Sequence, residues 1–246
     1  MAKKSFISLV ETGSPGSSAA GARTLIERTY AQLREDILSG RLAPGEKLLV
    51  EHLKDRYEVG AGTLREALSR LVSDAMVRAE GQRGFTVAPI AIEELVDITN
   101  LRVNVETEAL RASIRQGDDL WRKRLASAYE AMSLLEQPLV SANAKSWELA
   151  NARFHEALLS ACGSPWTLRV LRQLTQHSER YRRFAIGLDS GRDVHEEHAL
   201  IFDAAMLGQD ARAALALEAH IRATPEMLIR AIESGKDVFH LRQSGS

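Results

Sequence analysis

The fold of this chain is decided by one stretch, Val59-Gly-Ala-Gly-Thr-Leu-Arg-Glu-Ala-Leu-Ser-Arg-Leu-Val72. Leu64, Leu68 and Leu71 recur at i, i+4 and i+7 after a short turn, which predicts a helix with one apolar face. Upstream, Val50-Glu-His-Leu-Lys-Asp-Arg-Tyr57 predicts a second short helix. Two short helices joined by a tight, glycine-containing turn indicate a helix-turn-helix, whose second helix offers its first residues to base edges in the DNA major groove.

A hairpin is predicted directly after this stretch. Met76-Val-Arg-Ala79 and Phe85-Thr-Val-Ala88 are strand-like, and Glu80-Gly-Gln-Arg-Gly84 between them is typical of a turn. A helix-turn-helix followed by such a hairpin is a winged helix-turn-helix. The fold class we expect is therefore mainly α, with a small β wing.

The N-terminal residues divide into an arm and a helix. Residues 1–22 are rich in Ser, Gly, Ala and Lys and lack the apolar core of a secretion signal, so we expect a disordered arm. A helix is predicted from Thr24 to about Ser39. Thr24 is the expected N-cap, because Glu27 three residues later completes a capping box.

Pro89 marks the end of the winged-helix domain, which we place at residues 23–89. The sequence after Ile92 is helical in period, with no convincing strand, and predicts an all-α bundle over residues 90–236 and a flexible tail over 237–246. The helices are expected near residues 93–116, 118–136, 141–162, 165–187, 190–208 and 210–234.

Composition agrees with two globular domains. The 246 residues are 45% hydrophobic and 26% charged, and no apolar run is long enough to cross a bilayer. A single cysteine, Cys162, excludes an intramolecular disulfide and suits a reducing compartment, so we expect a cytoplasmic protein. Residues 1–90 carry 13 Lys and Arg against 11 Asp and Glu, while the remainder carries 19 against 22. This small positive excess supports nucleic-acid binding only weakly.

Polar residues embedded in apolar helical stripes are the unusual feature of the second half. Asn151 and His155 lie four residues apart on one face, and His198 and His220 each lie beside apolar residues on later helices. A buried imidazole needs a partner. Singly, each histidine is read as a core residue with a hydrogen-bond partner. Together the four residues could converge on a divalent metal such as Zn, Ni or Mn.

Three segments resemble the DNA-reading domain of GntR-type bacterial transcription regulators, namely Ile37–Glu46, Leu64–Leu71 and Gln82–Val87. The part that follows is similar to the helical effector domain of the FadR subgroup, the FCD domain. The resemblance covers roughly Thr24 to Ala223. It implies a homodimeric regulator that binds a near-palindromic operator and responds to a small carboxylate.

The resemblance also bears on the metal site. Many FCD domains carry an Asp or Asn, a His one turn later, and two further His on later helices. Asn151, His155, His198 and His220 match that pattern. Where many relatives have Asp this chain has Asn, a neutral and weaker donor, so a lower metal affinity is expected.

Arg102 is the candidate effector-binding residue. It lies among apolar residues, where a guanidinium is costly unless it is paired. One interpretation is an i,i+4 salt bridge to Glu106; the other is a fork for a ligand carboxylate. The two can coexist. FCD proteins similarly have an Arg on their first helix facing the metal, which implies an effector carboxylate that bridges Arg102 and the cation.

The expected DNA contacts lie at the start of the second helix of the helix-turn-helix and at the tip of the wing. Many GntR relatives have Arg where this chain has Ala61, so a different operator sequence is expected. The alternative for Arg65 is a salt bridge to Glu66 or to an upstream acid. The candidate residues are Gly60, Ala61, Gly62, Thr63, Arg65, Arg83 and Gly84.

Two functions from different classes fit these observations. The first is a transcription regulator, expected to be a repressor, controlled by an organic acid. The second is a metal-dependent helical enzyme with an accessory winged helix. His195-Glu-Glu-His198 lacks the spacing of a metalloprotease motif, and the sequence contains no Ser-His-Asp motif and no phosphate loop. The sequence therefore favours the regulator over the enzyme.

Overall fold

The computed structural model describes residues 16–81, 84–137, 139–140, 142–185, 188 and 192–236, with side chains from residue 24 onward. Over these residues the chain is mainly α-helical with one small sheet, which confirms the predicted fold class. The elements are α1 Gly16–Leu38, β1 Lys47–Leu48, α2 Val50–Tyr57, α3 Ala61–Ser73, β2 Val77–Ala79, β3 Phe85–Val87, α4 Ile92–Gln116, α5 Asp119–Ser133, α6 Ala144–Leu159, α7 Pro165–Ala185, α8 Val194–Met206 and α9 Asp210–Glu233.

The helices α1–α3 and the three-stranded sheet form a winged-helix region. Leu64, Leu68 and Leu71 of α3 are fully buried against α1 and the sheet, as their spacing predicts. The strand order is β1-β3-β2, with both pairs antiparallel. Because the apolar face of α3 is fixed against this core, its opposite face is directed to solvent.

The helical region comprises α4–α9. Phe154 of α6 lies at its centre and is fully buried, in one cluster with Leu110 of α4, Leu125 of α5, Ile201 of α8 and Leu217 of α9. Side chains from five helices thus close around one core, which holds the faces that carry the polar residues in fixed positions. No helix in the described part of the chain is long and apolar enough to cross a membrane.

The two regions are joined through α7. Glu179 of α7 accepts a hydrogen bond from Arg34 of α1 at 2.5 Å, and Arg183 of α7 donates one to Glu35 of α1 at 2.9 Å. Arg183 also pairs with Glu179 at 3.2 Å. Arg183 is buried, so salt screens these ion pairs less than it screens exposed pairs.

Several predicted boundaries differ from the structure. α1 begins at Gly16, so residues 16–22 of the expected disordered arm are helical, and Thr24 lies inside the helix instead of capping it. The alanines at 19, 20 and 22 favour this extension. Residues 1–15 and the predicted tail at 237–246 lie outside the described residues.

Other differences are smaller. α8 begins at Val194, four residues later than predicted, because the Asp193 side chain caps it by accepting from the Glu196 backbone N–H. β1 was not predicted, since two residues are too few to show an alternating pattern.

Candidate functional site

Three histidines from three helices meet in the interior of the helical region. His155 of α6, His198 of α8 and His220 of α9 are all buried, and one ring nitrogen from each lies within 4.8 Å of the others. The centroids of the His198 and His220 rings are 4.5 Å apart, and those of His155 and His220 are 5.3 Å apart. We call these residues the histidine cluster. The structure thus brings together three of the four predicted metal ligands.

The fourth predicted ligand, Asn151, lies one turn before His155 on α6 and is 2% exposed. Apolar residues of the central core, such as Phe154, pack beside this face. An amide this deeply buried needs hydrogen-bond partners or another polar contact.

A buried carboxylate fixes the orientation of His198. Glu136 accepts a hydrogen bond from His198 Nδ1 at 2.6 Å, and the same oxygen accepts one from Trp147 Nε1 at 3.0 Å. Its second oxygen contacts Nδ1 of His195, at 3.2 Å, and the His195 side chain is 30% exposed. With the proton of His198 on Nδ1, the lone pair on Nε2 is available to a cation.

His220 is held in the same way. Its Nδ1 lies 2.8 Å from Glu197 Oε2, and Glu197 is itself fixed by two hydrogen bonds from Arg192, at 2.6 and 2.7 Å. Glu197 therefore assigns the ring proton of His220 to Nδ1 and leaves the Nε2 lone pair free. A carboxylate behind a histidine is the usual outer partner of a metal-binding imidazole.

Four buried ligand atoms have no hydrogen-bond partner among the described residues. They are Asn151 Oδ1, His155 Nδ1, His198 Nε2 and Glu106 Oε2. Buried polar atoms are almost always satisfied, and three of these four atoms belong to or adjoin the histidine cluster, which is consistent with a missing partner such as an ion. Nitrogen and oxygen lone pairs are the donors that divalent transition metals take. The residues present therefore fit a divalent cation.

Electrostatics keep two rings of the cluster, those of His155 and His220, in the neutral form that binds a metal. Burial, followed by the neighbouring histidines, lowers the pKa of His155 well below its ordinary value. The pKa of His220 is lowered well below its ordinary value in the same way, by burial first and then by His198. Both rings are thus neutral at physiological pH, and a neutral imidazole is the form that binds a metal.

Arg102 is buried beside the cluster and is paired with Glu106. Its Nε donates to Glu106 Oε1 at 2.6 Å, and the other Glu106 oxygen lies 3.9 Å from His155 Nδ1. The i,i+4 salt bridge weighed from the sequence is therefore present. The charge of Arg102 is among the causes that lower the pKa values of His155 and His220, so the guanidinium is electrostatically coupled to the cluster.

A second buried arginine lies at the site and was not predicted. Arg182 of α7 makes two parallel hydrogen bonds to Glu148 of α6, at 3.1 and 2.9 Å. Its charge also acts on His155 and His220. Glu148 is three residues before Asn151 and seven before His155. Helical spacing therefore places it on the same face as the predicted ligands, and this spacing is the signal that could have identified it.

The outer carboxylates Glu136 and Glu197 were also missed. Glu197 lies within the segment His195-Glu-Glu-His198. Its pairing with His220 was not predicted, because the two residues are 23 positions apart on different helices. Glu136 was placed inside the predicted helix 118–136, but α5 ends at Ser133, so helical periodicity does not apply to Glu136 and did not indicate where its side chain points.

The predicted DNA-contacting residues of the helix-turn-helix lie together at the start of α3. Gly60 is the N-cap of the helix, and a methyl group built on Gly60 or Gly62 would meet open space. Arg65 is exposed one turn later, while Glu66 pairs with Arg70 at 3.4 Å. Of the two alternatives for Arg65, the salt bridge to Glu66 is therefore absent among the described residues. The charge of Arg65 does act on an upstream acid, since it is, after Lys54, among the causes that lower the pKa of Glu51.

The remaining predicted contacts lie around these. Ala61 and Thr63 are partly exposed in the first turn of α3, and Gly84 at the wing has φ 98°, a backbone conformation that favours glycine. Arg83 lies outside the described residues.

Comparison with known proteins gives two family matches. Residues 25–87 match the gntR family of bacterial regulatory proteins, and residues 97–223 match the FCD domain. The chain is 44% identical over 211 residues to the HTH-type transcriptional regulator BphR of Paraburkholderia xenovorans, covering 83% of this chain and 85% of the relative. It is 32% identical to the HTH-type transcriptional repressor GlaR of Escherichia coli, covering 84% and 96%.

Solved structures show the same fold. A transcriptional regulator of the GntR type from Rhodococcus sp. RHA1 superposes with a TM-score of 0.67 at 21% identity, covering 85% of this chain and 99% of that one. Escherichia coli McbR/YncC has the same TM-score at 18% identity, covering 85% and 98%. The relatives are transcription regulators and give no support to the helical enzyme weighed from the sequence.

Proposed function

Because the chain belongs to the gntR family of regulators with an FCD domain, and is thus a DNA-binding transcription regulator, we propose that a small organic acid controls its affinity for operator DNA. The acid binds beside a divalent cation at the histidine cluster. The observation that carries this proposal is the group of orphaned buried ligand atoms at the cluster. We also propose repression as the mode of action, which the similarity to the transcriptional repressor GlaR supports.

The winged-helix domain, residues 23–89, reads the operator. The open space before Gly60 and Gly62 lets the backbone approach DNA, while Thr63 and Arg65 reach base edges. Arg83 and Gly84 of the wing contact the adjacent backbone or minor groove. The helical domain, residues 90–236, forms a homodimer, and its two-fold symmetry matches a near-palindromic operator.

His155, His198, His220 and Asn151 would hold the cation. Zn, Ni or Mn suits three imidazoles and one amide oxygen. When bound, the metal supplies a positive, Lewis-acidic centre for a carboxylate. Glu136 and Glu197 keep two of the rings in the orientation and tautomer that binding needs.

Positive charge selects an acid as the ligand. Arg102 and Arg182 act on the same histidines, and their partners Glu106 and Glu148 offset part of that charge. A bound cation would shift the balance to positive, which a carboxylate neutralises. Arg102 retains guanidinium N–H groups besides the Nε–H given to Glu106, and these form the proposed contact to the carboxylate.

α7 is the route from the site to the DNA-binding region. Arg182 holds Glu148 at the histidine side, while the next residue, Arg183, is bonded to Glu35 of α1. A shift of α7 when the acid binds therefore acts on the ion pairs that set the position of α1. The required coupling between the two sites is about 1–3 kcal/mol, the size of one or two such charged hydrogen bonds.

The experiment is release of a duplex from the promoter region by carboxylic acids, measured on metal-loaded protein. Arg102→Ala and Arg102→Lys are expected to bind DNA as the wild type does. Arg102→Ala should not respond to the acid, and Arg102→Lys should respond poorly, because lysine lacks the planar fork. If the acid releases DNA from Arg102→Ala at the same concentration as from the wild type, Arg102 pairs with Glu106 and does not bind the acid.

Metal content is tested separately. His155→Ala and His198→Ala should lose the bound metal in elemental analysis and retain their helicity. Because Asn151 is a neutral donor, metal can be stripped during purification, so titration with Zn, Ni and Mn is the decisive arm. If the wild-type protein binds none of these three metals, the proposed metal site is wrong.

A further inference from the structure

A further ligand atom lies beside the histidine cluster, on the carboxylate of Glu106. This side chain is 1% exposed, and its Oε1 accepts the hydrogen bond from Arg102 Nε at 2.6 Å. Among the described residues its Oε2 has no hydrogen-bond partner, and it lies 3.9 Å from His155 Nδ1, which has none either. Burying a charged oxygen without a partner is costly, so this atom is placed to bind a cation.

The separation between Glu106 and His155 suits two donors of one ion. Zn²⁺ holds nitrogen and oxygen donors at about 2.0–2.2 Å, so two donors of the same ion lie at most about 4.3 Å apart. The 3.9 Å from Glu106 Oε2 to His155 Nδ1 is within that limit. It is also too long for a hydrogen bond, so the two atoms do not satisfy each other directly.

Charge gives an independent reason for a carboxylate ligand. The ligands proposed so far are three imidazoles, which bind a metal in their neutral form, and the neutral amide of Asn151. None of them offsets the two positive charges of a divalent cation, and an uncompensated charge in the interior is unstable. The set therefore lacks an anion.

Other carboxylates near the cluster are already engaged. Each oxygen of Glu136 contacts a histidine ring. Each oxygen of Glu148 and of Glu197 accepts a hydrogen bond from an arginine. Unlike these three, Glu106 has an oxygen without a partner in the described part of the chain. Glu106 is therefore the residue that can supply the missing charge.

We propose that Oε2 of Glu106 is a ligand of the cation and supplies the negative charge that Asn151 lacks. This inference rests on the proposed function, because it takes the histidine cluster as the metal site. Oε1 stays bonded to Arg102, so a single carboxylate joins the cation to the arginine that is proposed to bind the acid. Carboxylate ligands suit Mn²⁺ and imidazoles suit Zn²⁺, so Glu106 also influences which metal the cluster prefers.

The test measures dissociation constants for Zn²⁺ and Mn²⁺ on full-length protein that a chelator has stripped of metal. Glu106→Gln keeps an oxygen for Arg102 and removes the charge. Zn²⁺ binding should weaken at least about tenfold, because loss of even an outer partner of a metal ligand lowers affinity roughly 10–100-fold. Mn²⁺ binding should weaken more. Unchanged constants for both metals, or wild-type protein that binds Zn²⁺ and no Mn²⁺, would overturn the proposal.

Glu148→Gln is the matched control, because it also removes the charge of a buried glutamate that pairs with an arginine near the cluster. Both oxygens of Glu148 are occupied, so it acts on the cluster only through space. Two ions of equal charge respond equally to such a distant charge. Glu148→Gln should therefore weaken Zn²⁺ and Mn²⁺ binding by the same factor or leave both unchanged. The same ratio of Zn²⁺ to Mn²⁺ affinity in Glu106→Gln and in Glu148→Gln would show that Glu106 is not a ligand.

A second variant covers the case in which Glu106→Gln does not fold because Arg102 is left as an uncompensated buried charge. Arg102→Gln combined with Glu106→Gln removes both charges, so the net charge beside the cluster is unchanged. Circular dichroism checks that the helices are retained. This double variant should still lose Mn²⁺ affinity more than Zn²⁺ affinity, and wild-type constants in it would contradict the proposal.

His155→Ala separates this proposal from the proposed function. If the wild type binds metal and His155→Ala loses it, the cluster is the metal site, and wild-type constants in Glu106→Gln then exclude Glu106 alone. If His155→Ala binds Zn²⁺ and Mn²⁺ as the wild type does, the metal site itself is wrong and both proposals fail.

Discussion

The outer carboxylate Glu136 offers the sharpest single perturbation of the proposed metal site. Its side chain is fully buried, and it accepts hydrogen bonds from His198 at 2.6 Å and Trp147 at 3.0 Å through the same oxygen. Glu136→Gln has nearly the same volume and keeps one oxygen acceptor for both bonds. What it removes is the negative charge behind the His198 ring.

The size of the effect follows from that geometry. The charge polarises His198 and fixes its Nδ1 tautomer, and loss of an outer partner of this kind lowers metal affinity by roughly 10–100-fold. A tenfold change is about 1.4 kcal/mol, so the expected loss is roughly 1.4–2.8 kcal/mol of binding free energy. The contact to His195 contributes less, because His195 is 30% exposed and can turn to water.

The assay is competition for zinc between the protein and a coloured chelator, with circular dichroism to check the fold. Glu156→Gln is the matched control, because Glu156 is an exposed carboxylate of α6 that, within the described part of the chain, forms an ion pair only with Arg172, at 3.7 Å. The control should keep wild-type affinity. Equal zinc affinity in Glu136→Gln and the wild type would refute the role of Glu136 behind His198.

Three more predictions concern the rest of the chain. Arg65→Ala should lose sequence-specific operator binding in a gel-shift titration, and wild-type binding would exclude α3 as the reading helix. Glu35→Gln should lower the free energy of unfolding in urea by about 1–3 kcal/mol, because it weakens the hydrogen bonds from Arg183. An unchanged midpoint of urea unfolding would show that the contact between α1 and α7 does not stabilise the protein. Burial raises the pKa values of Tyr30 and Tyr181 to about 12, so the stability they contribute is present below pH 10 and lost as pH rises from about 10 to 12; a spectroscopic titration of both phenols near pH 10 would contradict this.

The winged-helix region was predictable because its signals are local. The leucines at 64, 68 and 71 fix both the helix and its buried face, and the glycine-rich turn before them marks its start. The start of α1 was predicted wrongly. Thr24 and Glu27 match a capping box, but the helix begins eight residues earlier, at Gly16. Local sequence patterns show that a helix exists more reliably than they show at which residue it begins.

The sequence indicated the histidines that meet in the cluster, but it did not indicate the residues that surround them. Asn151 and His155 share a face that their spacing reveals, whereas the expectation that His155 meets His198 and His220 gained its support from the family resemblance. The hydrogen bond between Glu136 and His198 joins residues 62 positions apart, and no period in the sequence encodes it. The same is true of the pair Arg182 and Glu148, whose helices meet only in the folded bundle.

The most direct test of the proposed function is the anisotropy of a labelled promoter duplex at fixed salt, with a carboxylic acid added to metal-loaded and metal-stripped protein. We expect the metal-loaded wild type to release the duplex as the acid is added. Metal-stripped wild type and His198→Ala should bind the same duplex but require at least about tenfold more acid, a coupling of roughly 1.4 kcal/mol. Release of all three at the same acid concentration would show that the histidine cluster does not control DNA binding.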